Sequence, residues 1–188
     1  MHVLVDLVDG GLEQVVARRL PLADTHNVRG RVPTDRVTKG LALVTGATAG
    51  IGFQTCVLLC ERGVDVLVPA RSAEQALRTA QLINAASKGP GKARPCSVPL
   101  DLASVESVKK FAESITDINL LVLNAGVMMP SYHRTEDGAE LTIAANHLGH
   151  FQLATALAPR LKGDARVVVE RRGGGGGKGG EEGGGGGG

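Results

Sequence analysis

Leu41-Ala42-Leu43-Val44-Thr45-Gly46-Ala47-Thr48-Ala49-Gly50-Ile51-Gly52 is the stretch from which the rest of this chain can be read. Residues 41–44 are a short apolar run without polar alternation, as expected of a strand buried on both faces of a parallel sheet. Three glycines follow, and the apolar periodicity of residues 51–62 predicts a helix. A strand, a glycine turn and a helix N-terminus in that order make an anion site, because backbone N–H groups point outward there and the helix dipole favours negative charge. Gly46 suits the tight turn, Gly50 a close approach of backbone to a pyrophosphate, and Gly52 close packing of helix on strand. The spacing is G-x-x-x-G-x-G, which departs from the G-x-G-x-x-G of the common dinucleotide fingerprint. A bland tight turn is the alternative.

Around this stretch the chain alternates. Strands are predicted at residues 64–68, 94–98, 118–123 and 166–169, and helices at 73–86, 105–115 and 139–161. Ser104 is a plausible N-cap for the third helix. The last helix carries Leu141, Ala145, Leu148, Phe151, Ala154, Ala158 and Leu161 as its expected buried stripe. Strands alternating with helices imply an α/β fold, a Rossmann-type doubly wound parallel sheet. Counting the strand at 41–44 as the first, right-handed crossovers order it 3-2-1-4-5. The fifth strand would then be an open edge.

The bulk properties allow one domain. The 188 residues are 43% apolar, enough for a core, but aromatics are 2% with no Trp and one Tyr. A net charge of +2 argues for neither nucleic acid nor a membrane surface as partner. No apolar run reaches the ~18 residues of a membrane helix. The three cysteines form no metal spacing, and Cys56 and Cys60, four apart in line with Gly52, read as small buried thiols.

Residues 1–38 read as a poorly defined leader in which 3–8 suits a strand and 12–20 a short helix. Its arginines suit an organellar targeting peptide, but its five acids and lack of serine do not. The cytoplasm is the default location and organellar targeting the alternative. Residues 39–170 are expected to form one dinucleotide-binding domain. Beyond them, 171–188 form a tail with thirteen glycines in its last sixteen residues, expected to be disordered for want of side chains to bury.

Residues at the strand ends carry the chemistry. An acid about 20 residues past the glycine turn binds the ribose 2′-hydroxyl of NAD, whereas an Arg accommodates the 2′-phosphate of NADP. Here Arg71 stands 21 residues after Gly50, so the cofactor expected is NADP, with NADPH preferred over NADH. A solvated surface arginine is the alternative.

The run from Thr45 to Gly52 resembles the cofactor motif of the short-chain dehydrogenase/reductase family. Val127-Met128-Met129-Pro130, Thr135-x-Asp137-Gly138-x-Glu140 and Asn146-His147-Leu148-Gly149-His150-Phe151 resemble its retinol-dehydrogenase-like branch. The resemblance implies cofactor contacts from Thr45, Gly46, Thr48, Ala49, Gly50, Ile51 and Gly52. It also implies that Asp101 and Leu102 contact the adenine, and that Asn124, Ala125 and Gly126 leave room beside the cofactor. Read alone, Asp101 equally suits the start of a helix, and Asn124 a tie between neighbouring strands. Asn146 matches the family's helix Asn, which holds a water in the proton relay, and is the one catalytic candidate. His147 and His150 lack a third ligand for a metal.

The resemblance ends at Val169. Family members follow the fifth strand with a Ser and a Tyr-x-x-x-Lys. This chain continues with Glu170-Arg171-Arg172 and glycine, and its single tyrosine, Tyr132, has Glu136 four residues on. A substitute acid role for Tyr132 in the loop is conceivable. The expectation is an NADP(H)-binding portion of an oxidoreductase that reduces carbonyls or oxidises alcohols, truncated after the fifth strand and catalytically incomplete. The abrupt change of composition is what a shifted reading frame or a retained intron would leave. A non-catalytic NADP(H)-binding or interaction module is the second reading, and a chain too incomplete to fold stably the third. Substrate and oligomeric state are not legible, although a homo-oligomer is in keeping with the resemblance.

Overall fold

The computed structural model describes residues 5–8, 40–128 and 131–170. The rest of the leader, Met129, Pro130 and the glycine tail, with the expectations placed on them, lie outside the described residues. Six strands form one sheet: β1 (Val5–Val8), β2 (Leu41–Val44), β3 (Asp65–Val68), β4 (Ala93–Pro95), β5 (Ile118–Leu123) and β6 (Leu161–Glu170). Their order is β1-β6-β5-β2-β3-β4, and every pairing is parallel. From β4 to β6 this is the 3-2-1-4-5 order expected. The expected open edge is corrected: β1 pairs with β6, Val5 opposite Val167 through Val8 opposite Glu170. That pairing gives β6 a hydrogen-bonded neighbour on its outer side.

The strands alternate their side chains between two cores, which is why they read as continuous apolar runs. Ala42, Val44, Val66, Val68, Leu120 and Val122 face α1 (Gly50–Glu61) and α2 (Ala73–Ala86), meeting Cys56, Leu59, Cys60, Ala80 and Ile83. Leu43, Leu121, Leu123 and Val167 face the other way, onto Val108, Phe111 and Ala112 of α3 (Val105–Ser114) and Leu153 and Leu157 of a later helix. The three thiols are buried and unpaired. Burial pushes Cys56 and Cys96 up to about 12 and Cys60, beside Asp65, to about 11, which holds them protonated and unreactive at neutral pH.

The long helix differs from expectation. It starts at α4 (Leu141–Ile143), passes through a π turn over Ala144–Leu148, and continues as α5 (Gly149–Leu157). A 3-10 turn, Ala158–Arg160, then leads into β6, so Leu161 belongs to a strand. Pro159 lacks the N–H that another helical turn would need. The π turn inserts an extra residue per turn and rotates the remainder of the helix. Ala144, Gly149, His150, Leu153 and Leu157 are buried in consequence, while Leu148 and Phe151 of the expected stripe are exposed. A Cβ on Gly149 would stand 2.0 Å from the Leu102 carbonyl oxygen, so only glycine seats α5 here.

The Thr135-x-Asp137-Gly138-x-Glu140 motif is a strap that fastens helix starts. Asp137 Oδ2 accepts the Val105 N–H at 3.1 Å, while Ser104 caps α3 by accepting from Ser107 N–H, as its sequence position suggested. The Glu140 carboxylate accepts the Thr142 and Ile143 N–H groups at 2.9 and 2.8 Å. Those backbone donors hold its carboxyl below the ordinary range. Replacing Asp137 with Ala frees a first-turn N–H of α3. Urea unfolding should show a loss of about 1 kcal/mol, the usual worth of a cap.

Candidate dinucleotide-binding site

The carboxyl end of β2 runs into a turn that only glycine can make. Gly46 and Gly50 have φ of +69° and +57°, in the left-handed region. A Cβ on Gly52 would stand 2.3 Å from the Gly46 carbonyl oxygen and 2.4 Å from Asn124 Nδ2, so α1 is seated directly on the turn. Gly50 is the opposite case, with nothing within 4 Å of where its Cβ would stand. Thr48, Ala49, Gly50 and Ile51 are exposed around that opening.

The start of α1 also differs from the other helix starts. Ser72 and Ser104 cap α2 and α3 with their hydroxyls, whereas Ala49 has no side chain able to accept, and no acid stands in the first turn of α1. Its first-turn N–H groups are therefore left for an external acceptor. An open glycine, uncapped donors and the dipole end of a twelve-residue helix fit a diphosphate-bearing ligand.

Beneath the turn lies a buried polar node. Thr45 is 1% exposed, and its Oγ1 accepts the backbone N–H groups of Asn124 and Ala125, each at 3.0 Å. Asn124 Nδ2 donates to the Thr45 carbonyl at 2.9 Å and, more weakly, to that of Gly46 at 3.5 Å. Asn124 thus ties the end of β5 to the end of β2. Thr45 Oγ1 also lies 2.9 Å from His150 Nε2, and His150 Nδ1 lies 3.1 Å from the Asn146 carbonyl oxygen. A carbonyl only accepts, so Nδ1 carries the proton and Nε2 accepts from the Thr45 hydroxyl. Burial holds His150 below the ordinary histidine range, the Asn146 carbonyl opposes that shift, and His147 adds to it.

Asn146, in the π turn, grips the loop after β5 with both ends of its amide. Nδ2 donates to the Val127 carbonyl and Oδ1 accepts the Val127 N–H, both at 2.8 Å. Gly126 beside it is open, with Asn146 Oδ1 at 3.8 Å the nearest atom to its absent Cβ.

Arg71 is exposed at the end of β3, immediately before the Ser72 cap, and has no ion pair among the described residues. Asp65, the carboxylate upstream of it, is committed to Arg94 and to the Lys92 N–H. Asp101 neither caps α3 nor lies free: its Oδ1 accepts the Ala103 N–H at 2.9 Å, and its own N–H donates to Ser107 Oγ. Leu102 sits under Gly149. His147 is exposed while His150 is buried, and no three metal-ligating side chains gather among the described residues. Tyr132 lies exposed in the loop with its hydroxyl accepting from Arg134 Nε.

The Thr45–His150 link is the part of this site that residue spacing did not disclose, because it joins positions 105 residues apart. No sequence signal pointed to it, since His150 lies off the stripe expected to be buried and reaches the sheet only through the π turn.

Residues 40–174 match the family model described as short chain dehydrogenase. The chain belongs to that family. Mouse retinol dehydrogenase 11 is 39% identical over 129 residues, covering 66% of this chain and 40% of the relative. Human retinol dehydrogenase 13 is 37% identical over 156 residues, covering 80% of this chain and 46% of the relative. The chain thus spans less than half the length of these two relatives. Among solved structures, an alcohol dehydrogenase from the archaeon Thermococcus sibiricus, complexed with 5-hydroxy-NADP, is 26% identical with a TM-score of 0.53. It covers 70% of this chain, which covers 57% of it in return. Membership makes this an oxidoreductase-family chain with the NAD(P)-binding Rossmann fold, of a family acting on small molecules. No helix among the described residues is long and apolar enough to cross a membrane.

The two glycines make a contrast that urea unfolding can read. Gly52→Ala forces a methyl against the Gly46 carbonyl and should cost about 3 kcal/mol, the upper end for overpacking. Gly50→Ala meets open space and should cost only the left-handed strain, about 1 kcal/mol.

Proposed function

We propose that this chain binds NADP(H) across the glycine turn, as the cofactor-holding portion of an oxidoreductase acting on a carbonyl or an alcohol. The observation that carries the reading is the uncapped start of α1 with an open Gly50 in front of it. In this reading the backbone from Thr45 to Gly52 receives the pyrophosphate. Thr48, Ala49 and Ile51 form its exposed rim and Gly46 and Gly52 its floor. Arg71 takes the 2′-phosphate, supported by its exposed place after β3 and its freedom from an ion pair among the described residues. Asp101 and Leu102 lie towards the adenine. Asn124, Ala125 and Gly126 leave room on the other side, and Asn146 fixes the loop that borders them through Val127.

Bound there, the dinucleotide supplies a hydride donor or acceptor at its nicotinamide ring. The residues that would handle the proton are not in these 188 residues, since the lone tyrosine is followed by Glu136 where the family has lysine. Loss of a general acid alone costs about 10²–10⁴-fold in rate. The chain therefore binds cofactor without appreciable turnover. The partial domain at 39–170, the leader and the glycine tail, and a homo-oligomer, belong to the same proposal.

A thermal-shift titration with NADPH tests the whole reading. Saturable stabilisation reaching about 2.7 kcal/mol at a hundredfold excess over Kd is expected, with no oxidation of NADPH by aldehydes or ketones. A melt unmoved by NADPH would defeat it. Arg71→Asp should weaken NADPH by about 1.5–3 kcal/mol while NADH changes little, as for lost bonds to a charged group. Equal losses for the two cofactors would remove Arg71 from the 2′-phosphate.

A further inference from the structure

We propose that His150 is a positioning residue for the dinucleotide site, holding Thr45 in the one hydroxyl orientation that keeps the ends of β2 and β5 together. The proposal rests on the reading of the glycine turn as an NADP(H) site, and it adds a residue which touches no cofactor in that reading. Its basis is a count of protons and lone pairs.

The Thr45 hydroxyl has one proton and two lone pairs. Both lone pairs are claimed by the N–H groups of Asn124 and Ala125. The proton has two acceptors within reach, His150 Nε2 at 2.9 Å and the Val122 carbonyl at 3.4 Å. The shorter bond wins as long as Nε2 is bare, and the Nδ1–H bond to Asn146 ensures that the neutral ring is bare at Nε2. The proton and both lone pairs of the Thr45 hydroxyl are then matched, in a node where neither Thr45 nor His150 is more than 5% exposed.

Protonation of His150 breaks this arrangement. Nε2 becomes a donor aimed at an oxygen whose lone pairs are already taken. The hydroxyl proton must turn to Val122, and three N–H groups then compete for two lone pairs. Either Asn124 or Ala125 loses its partner, and the end of β5 loosens beside Gly46 and Gly52. The surroundings offer the cation no relief. The ring's hydrogen bonds go to Thr45 and to the Asn146 carbonyl, and no carboxylate pairs with it among the described residues. His147 on the same helix disfavours the charged ring further. Dinucleotide affinity should therefore follow the neutral state of one buried imidazole, and fall as the solution becomes acidic.

The test uses the full chain and reads the node directly. Nitrogen chemical shifts of His150 at pH 7.5 should report the Nδ1–H tautomer. Amide protection of Asn124 and Ala125 should drop about fivefold or more as the pH falls from 7.5 to well below the ordinary histidine range, the worth of one neutral hydrogen bond. In His150→Gln, whose amide oxygen still accepts from Thr45 but takes up no proton, protection should stay level. NADPH affinity should weaken more on acidification in the wild type than in His150→Gln, a comparison that cancels titration of the ligand's own phosphate. An Nε2–H tautomer at neutral pH, or equal pH dependence of the two amides in both proteins, overturns the proposal. If NADPH binds at no pH, the cofactor reading fails, while the tautomer and amide measurements still decide whether His150 holds Thr45.

Discussion

Thr45 Oγ1 joins three elements that are far apart in the chain. It accepts two backbone N–H groups from the end of β5 and meets the ring of His150 from α5, while the residue's own backbone N–H donates to Val122. Few side chains other than Thr or Ser can serve in this way, because the position needs one proton, two lone pairs and almost no volume. The glycine turn above it inherits its position from this node. Gly52 presses α1 against the Gly46 carbonyl and the Asn124 amide, and Asn124 is held by Thr45 in turn. A small displacement at the oxygen would be passed to the place where the helix N-terminus opens.

The parallel sheet explains why that node is worth building. All six strands run the same way, so their carboxyl ends and the helix starts beyond them collect on one edge. Gly46 after β2, Arg71 after β3 and Asn124 after β5 come to that edge without any of them being adjacent in sequence. Two cores, one on each face, leave the sheet no freedom to bring them elsewhere. The site is a product of topology first and of side chains second.

Local patterns were legible for the same reason that they are local. The bounds of β2, α2 and β5 follow directly from runs of 4, 14 and 6 residues whose period and flanking turns are self-contained. The glycine turn between Thr45 and Gly52 was legible too, since glycine at left-handed and close-packed positions leaves few other readings of the backbone. The features that escaped depend on distant partners. The pairing of β1 with β6 joins Val5 to Val167, and the burial of His150 depends on Thr45. The π turn escaped because no residue type announces it, and one extra residue was enough to turn Phe151 outward to 69% exposure. The family motif of Thr135, Asp137 and Glu140 was visible as a pattern, but its work as a strap on α3 and α4 required coordinates.

The poverty of aromatic side chains has a practical corollary. With no tryptophan and with its one tyrosine on an exposed loop, this protein has almost no ultraviolet emission that responds to its interior. Unfolding must be followed through backbone dichroism instead. The same darkness is an advantage for ligand work, because light from a reduced nicotinamide can be observed with hardly any overlapping signal from the polypeptide.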